Sequence, residues 1–166
     1  MKETNCLSKF HNPNALEEML DYRLYLVYRD CGYLTEKVCK DVYGISRRRL
    51  RIIFILIEHP EVSVTELATI AELDIAQTSR TIGVMMREGY LRRLSNPDNA
   101  RFAKLILTEK SHEIYSDILI RYKKINAELI LNFDDNELIQ LDNLLNRLRK
   151  NSEILKEKYL KGDYCF

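Results

Sequence analysis

Apolar residues recur at spacings of three and four through most of this chain. Leu16, Leu20, Leu24, Val27, Cys31, Leu34 and Val38 form the first such stripe, which predicts a long amphipathic helix. Asn12-Pro13 supplies its start, because asparagine suits the cap and proline the first turn. The stripe is expected to serve as core and subunit interface. Ser46 is placed to cap a second helix that begins Arg47-Arg48-Arg49 and runs through Leu50, Ile53, Phe54 and Ile57 to a stop at His59-Pro60. Near the end, Ile114, Ile118, Tyr122, Ile125 and Leu129 predict a helix over 109–132. Asp134 and Glu137, in capping-box spacing, open a last helix. Its Leu138, Leu141, Leu145, Leu148 and Leu155 approximate a heptad stripe that has to be buried against something.

The pattern changes between Glu61 and Thr108. Ser63 and Glu66 stand in capping-box spacing and predict a short helix with Leu67, Ala68 and Ala71 on its buried side. Glu72 to Asp74 makes a turn, and a second capping box, Asp74-Ile75-Ala76-Gln77, opens another helix whose Thr78, Ile82 and Met85, with Leu73 before them, face the core. Gly89 terminates it. Tyr90 to Leu94 and Phe102 to Leu107 then read as two strands around the turn-rich Ser95-Asn96-Pro97-Asp98-Asn99-Ala100, with Arg101 near the tip. Two capped helices, a tight turn and a hairpin describe a helix-turn-helix followed by a wing. The fold class predicted is mainly α with a small β-hairpin, the winged helix-turn-helix being flanked by long helices at both ends. Domain boundaries are expected at 1–45, 46–108 and 109–166.

Charge sharpens this picture only locally. The net formal charge is +1, so DNA affinity has to come from a local excess. Between Ala76 and Lys104 the bases Arg80, Arg87, Arg92, Arg93, Arg101 and Lys104 face only the acids Glu88 and Asp98. The outer face of the second short helix offers Ala76, Gln77, Arg80 and Thr81 near its start, where a recognition helix meets base edges in the major groove. Arg101, on a loop, suits a narrow minor groove. The surface expected to meet DNA is Ser63, Ala76, Gln77, Ser79, Arg80, Thr81, Arg87, Arg93 and Arg101. A solvated helix face and hairpin is the plainer account of the same charges.

Cys6, Cys31, Cys39 and Cys165 lack metal-ligand spacing, and His11, His59 and His112 are scattered, so no metal or other cofactor is expected. No nucleophile stands beside a base at motif spacing, and five glycines form no phosphate loop, so no enzyme is predicted and no catalytic residue named. The chain opens without an apolar signal core and contains no run of transmembrane length, and a cytoplasmic protein with no membrane partner is expected.

Gly44-Ile45-Ser46 with Arg51-Ile52, Val64-Thr65-Glu66-Leu67-Ala68, Thr78-Ser79-Arg80, Arg87-Glu88-Gly89-Tyr90-Leu91 and Leu105-Ile106-Leu107-Thr108 stand in this order along the chain. With them, residues 44–111 resemble the winged-helix core of the MarR family of bacterial transcription regulators. At the wing the family's Asp-x-Arg triplet appears here as Asn99-Ala100-Arg101, with the arginine kept and the acid replaced. The resemblance implies a homodimer on a pseudo-palindromic duplex operator, acting as a repressor, and an aromatic or phenolic carboxylate effector bound between the first helices and the reading head. Three arginines at a helix N-terminus oppose the helix dipole. Read with the resemblance, they and the tyrosines nominate Tyr22, Tyr25, Tyr43, Ser46, Arg47, Arg48 and Arg49 as effector-binding candidates. Exposed or phosphate-contacting arginines, and tyrosines that simply pack, are the alternative. Two further readings stay open: thiol oxidation at Cys6 or Cys31 in place of a ligand, and a helical adaptor whose winged helix binds protein.

Overall fold

A computed structural model describes residues 9–94 and 104–164 of the chain. Two compact units divide between Asn126 and Ala127.

In the first unit, short 3-10 turns at Lys9–His11 and Leu16–Glu18 precede α1 (Leu20–Tyr43), α2 (Arg47–Glu58), α3 (Val64–Ile70), α4 (Ile75–Arg87), β1 (Leu91–Leu94), β2 (Lys104–Leu107) and most of α5 (Glu109–Leu129). The start of α1 departs from expectation. Asn12-Pro13 does not cap it, because the Asn14 amide donates to the Glu18 carboxylate at 3.0 Å and its side chain donates to the Asn12 carbonyl. These local bonds fix turns in which Leu16 lies outside the long helix. At its other end α1 closes on Gly44, at φ 64°, a conformation that glycine adopts without steric cost.

The apolar stripe of α1 is largely exposed: Leu24 at 40 %, Val27 at 60 % and Leu34 at 54 %. Within this chain it is not core. Its C-terminal end joins the core cluster, through Cys39 and Val38. The core is built instead from Leu50, Ile52, Ile53 and Leu56 of α2, Leu67 of α3, Ile82 and Met85 of α4, Leu91 of β1, Leu105 of β2 and Ile118 of α5. Apolar side chains from every element of the reading head therefore converge on one cluster, and their burial is the main force holding it.

The caps fall where their spacing predicts. Ser63 accepts from the Glu66 amide at 3.2 Å while the Glu66 carboxylate accepts from the Ser63 amide at 2.7 Å. Asp74 accepts from the Gln77 amide at 2.8 Å and starts α4. Gly89, at φ 76°, ends it; the Gly89 amide bonds the Met86 carbonyl and the Tyr90 amide the Met85 carbonyl, the paired bonds of a Schellman motif. β1 and β2 pair antiparallel with Leu91 opposite Leu107 and Leu94 opposite Lys104. The Leu105 amide also donates to the Val62 carbonyl at 2.9 Å, tying the hairpin to the entry of α3. The strands anticipated from Tyr90 and Phe102 are described from Leu91 and from Lys104.

The second unit holds the end of α5 and α6 (Asp135–Lys161), with the Asp134–Glu137 capping box formed in full. Along α6, Leu141, Leu145 and Leu155 are 42–47 % exposed.

Candidate nucleic-acid interface

Helix α4 is two-sided. Thr78, Ile82 and Met85 are fully buried, and their spacing of three and four turns one face into the core. Ala76, Gln77, Ser79, Arg80 and Arg87 are exposed, and Thr81 is half-buried. Leu73, expected in the core, is half-buried at the turn before the helix. The Thr81 hydroxyl donates to the Gln77 carbonyl at 2.9 Å, which leaves its methyl for any outward contact. Ser63 is occupied as the cap of α3. Arg93 is exposed on β1. Arg101, Asn99 and the rest of the hairpin tip lie outside the described residues, as do Cys6 and Cys165.

The wing is seated from below by side chains that sequence spacing does not connect. The Thr108 hydroxyl donates to the Gly89 carbonyl at 2.7 Å and the buried Ser111 hydroxyl to the Tyr90 carbonyl at 2.7 Å. Lys110 donates to the Glu88 carbonyl at 3.0 Å and holds its ammonium 4.0 Å from the Tyr90 ring centre. Lys104 pairs with Glu61 at 3.0 Å, although both are half exposed and the pair adds little by itself.

The residues nominated for an effector do not converge. Tyr25 and Arg47 line one recess of about 380 Å³, with Tyr28, Gly32 and Tyr33. There the Arg47 guanidinium lies 5.0 Å from the Tyr28 ring centre. Tyr22 leans on Tyr25, their centroids 6.2 Å apart. Tyr43 is engaged elsewhere: its hydroxyl donates to Asp117 and accepts from Arg121 Nε at 3.0 Å. Burial and the bond to Asp117 push the Tyr43 hydroxyl above its ordinary pKa, and that same bond holds the Asp117 carboxyl low.

Ser46 caps α2, accepting from the Arg49 amide at 3.4 Å, and the three arginines that follow fan apart. Arg47 turns to the tyrosines of α1. Arg49 forms an ion pair at 2.6 Å with Glu88, at the C-terminal end of α4. Arg48 lines a different recess, shared with Gln77 and Arg80 of α4. Tyr28 and Gly32 line the recess beside Tyr25 and Arg47 and are not among the residues nominated from the sequence. A glycine inside an apolar helical repeat is the signal that could have found them, because such a residue usually marks close packing.

This arrangement, a capped two-helix motif with an outward polar face and a hairpin behind it, defines a winged helix-turn-helix protein. The MarR family profile matches residues 43–101. Over 107 residues, 64 % of this chain and 71 % of the relative, the sequence is 30 % identical to the uncharacterized HTH-type transcriptional regulator YybA of Bacillus subtilis. The chain belongs to the MarR family of transcriptional regulators. It is also 26 % identical over 128 residues, 77 % of this chain and 86 % of the relative, to the HTH-type transcriptional regulator BilQ of Clostridioides difficile. Among solved structures the fold resembles that of Streptococcus pneumoniae FabT in complex with DNA, with a TM-score of 0.71 and 17 % identity over 82 % of this chain and 96 % of FabT. Among the described residues no helix is long and apolar enough to cross a membrane, and no cluster of three or more His, Cys, Asp or Glu could hold a metal ion.

Proposed function

We propose that this protein is a cytoplasmic homodimeric repressor that reads a pseudo-palindromic duplex operator and releases it on binding a small aromatic carboxylate. The observation that carries the DNA-reading part is the two-sidedness of α4, whose buried Thr78, Ile82 and Met85 fix Ala76, Gln77 and Arg80 outward. Gln and Arg have the donor and acceptor geometry to read adenine and guanine in the major groove, and small methyl-bearing neighbours suit thymine. The fold shared with FabT, a protein solved on DNA, supports the same reading. In it, 46–108 is the DNA-binding domain, 1–45 and 109–166 supply the dimer contacts, and the exposed leucines of α1 and α6 are what the second copy covers. Two such heads need half-sites roughly 10 base pairs apart.

The effector part rests on the recess holding Tyr25, Tyr28 and Arg47, where aromatic faces and a guanidinium lie together. A ligand that binds there more tightly in an arrangement unable to span both half-sites would release the operator.

The test begins with an operator selected by the wild-type protein from a randomised duplex library. Arg80→Ala should erase much of the discrimination between that operator and a scrambled duplex, and Arg101→Ala should weaken both evenly. A monomer that ignores duplex DNA at low ionic strength would end this reading. Benzoate and salicylate, added in a thermal-shift series, should raise the melting temperature of the wild type and lower its operator affinity, with both effects lost in Arg47→Ala.

A further inference from the structure

The charge of the triple arginine at the start of α2 is only partly compensated within the protein. Arg49 is neutralised by Glu88, and Arg47 is stacked over Tyr28. Arg48 has no ion-pair partner among the described residues, and neither does Arg80 across from it on α4. The two guanidinium groups line one open recess of about 630 Å³ with Ser46, Arg49, Gln77, Thr81 and Val84; no acidic side chain is among its walls, and of its three arginines only Arg49 is paired among the described residues, with Glu88. The positive end of the α2 dipole adds to the same field. Two unpaired guanidinium groups on one recess suit an anion there.

The geometry points to a phosphodiester of the DNA backbone seated on Arg48, at the mouth of the recess it shares with the base-reading Arg80, making Arg48 a backbone-contacting residue of the DNA interface and not part of an effector site. This rests on α4 being the reading helix. Gln77 and Arg80 belong at once to that helix's outward face and to the recess, so a strand bordering the groove that receives α4 passes the recess mouth. Arginine suits the position because its planar fork binds phosphate oxygens bidentately. The contact carries no sequence information; it fixes how the reading head is registered on the duplex. The residues Ser46 to Arg49 thereby serve two surfaces, with Arg47 turned toward α1 and Arg48 toward the nucleic acid.

The salt dependence of duplex binding tests this with full-length protein, the selected operator and a scrambled duplex of equal length. Arg48→Ala should weaken both duplexes by the same factor, about tenfold at moderate salt, and reduce the slope of log affinity against log salt by about one per reading head. Arg48→Lys, which keeps the charge, should restore most of the slope, and matching melting curves establish that the variants are folded. An unchanged slope in Arg48→Ala, beside a reduced slope in Arg80→Ala, overturns the proposal while leaving the reading helix in place. If neither variant alters binding, the assignment of α4 itself fails. A melting shift with inorganic phosphate that needs Arg48, beside unchanged duplex binding, assigns the recess to a free anion and also overturns the proposal.

Discussion

Arg47 lies directly against Gly32: a β-carbon added at Gly32 would stand 2.2 Å from Arg47 Nη1. Gly32 is buried in the middle of α1, where glycine costs up to about 1 kcal/mol relative to alanine. The close approach of Arg47 accounts for it. With no side chain in the way, the guanidinium crosses α1 and reaches the Tyr28 ring. In Gly32→Ala the clash falls on the free end of a flexible side chain, so Arg47 should swing away while the helix gains propensity. The expected outcome is a melting temperature equal to or above that of the wild type, together with loss of the benzoate-induced shift if Arg47 holds the carboxylate. A drop of several degrees would show that Arg47 cannot be displaced and is needed for packing.

Asp74 starts the helix that presents Ala76, Gln77 and Arg80, through its bond to the Gln77 amide. Asp74→Ala leaves that amide without its partner and should cost about 1 kcal/mol of stability. Because the first turn of α4 frays first, operator affinity should fall more than affinity for scrambled duplex. Equal losses on both duplexes would mean that the first turn takes no part in base reading.

Much of the reading head is legible in the sequence because its determinants are local. Ser63 with Glu66, Asp74 with Gln77, and Gly89 after Arg87 act within one helical turn and fall where their spacing predicts, as does Asp134 with Glu137 in the second unit, although at Asp74 only the bond from the Gln77 amide forms and not the reciprocal one of a full box. The start of α1 misleads for the opposite reason: Asn12-Pro13 is a sound cap signal, but the competing bond from the Asn14 amide to Glu18 is just as local and prevails. The arginine cluster is legible as an oddity and not as an arrangement. Which way Arg47, Arg48 and Arg49 point depends on Tyr28, Arg80 and Glu88, brought near by helix packing that no spacing rule encodes. Tyr43 is similar, its hydroxyl taken by Asp117, 74 residues away.

Thr78 is fully buried and its hydroxyl oxygen has no hydrogen-bond partner. A buried polar atom without a partner loses its hydration and gains nothing in return. Thr78→Val, of similar shape, removes that cost and should raise stability by about 1 kcal/mol, read as a higher midpoint in guanidinium denaturation followed by circular dichroism. Since Thr78 faces inward, operator affinity should not change. A lower midpoint would mean that the hydroxyl is satisfied in solution.

Cys39 and Tyr122 meet in the interior, sulfur and hydroxyl 3.4 Å apart. Burial raises the pKa of the thiol above its ordinary 9.0 and that of the phenol above its ordinary 10.0. In the unfolded chain both groups recover their ordinary values and release protons first. Their contribution to stability is therefore complete below pH 9.0 and is lost as pH rises toward the folded values, the thiol leading and the phenol following. The thiol's part is bounded at about 1.4 kcal/mol per pH unit. Melting temperatures between pH 9.0 and 10.0 should accordingly fall more steeply in the wild type than in Cys39→Ser, which removes the titrating thiol and keeps a hydroxyl beside Tyr122. Parallel slopes would mean that Cys39 ionises as readily in the folded protein as in the unfolded chain. A protonated thiol is also a poor nucleophile toward peroxide, so Cys39→Ser should leave any peroxide response of operator binding unchanged.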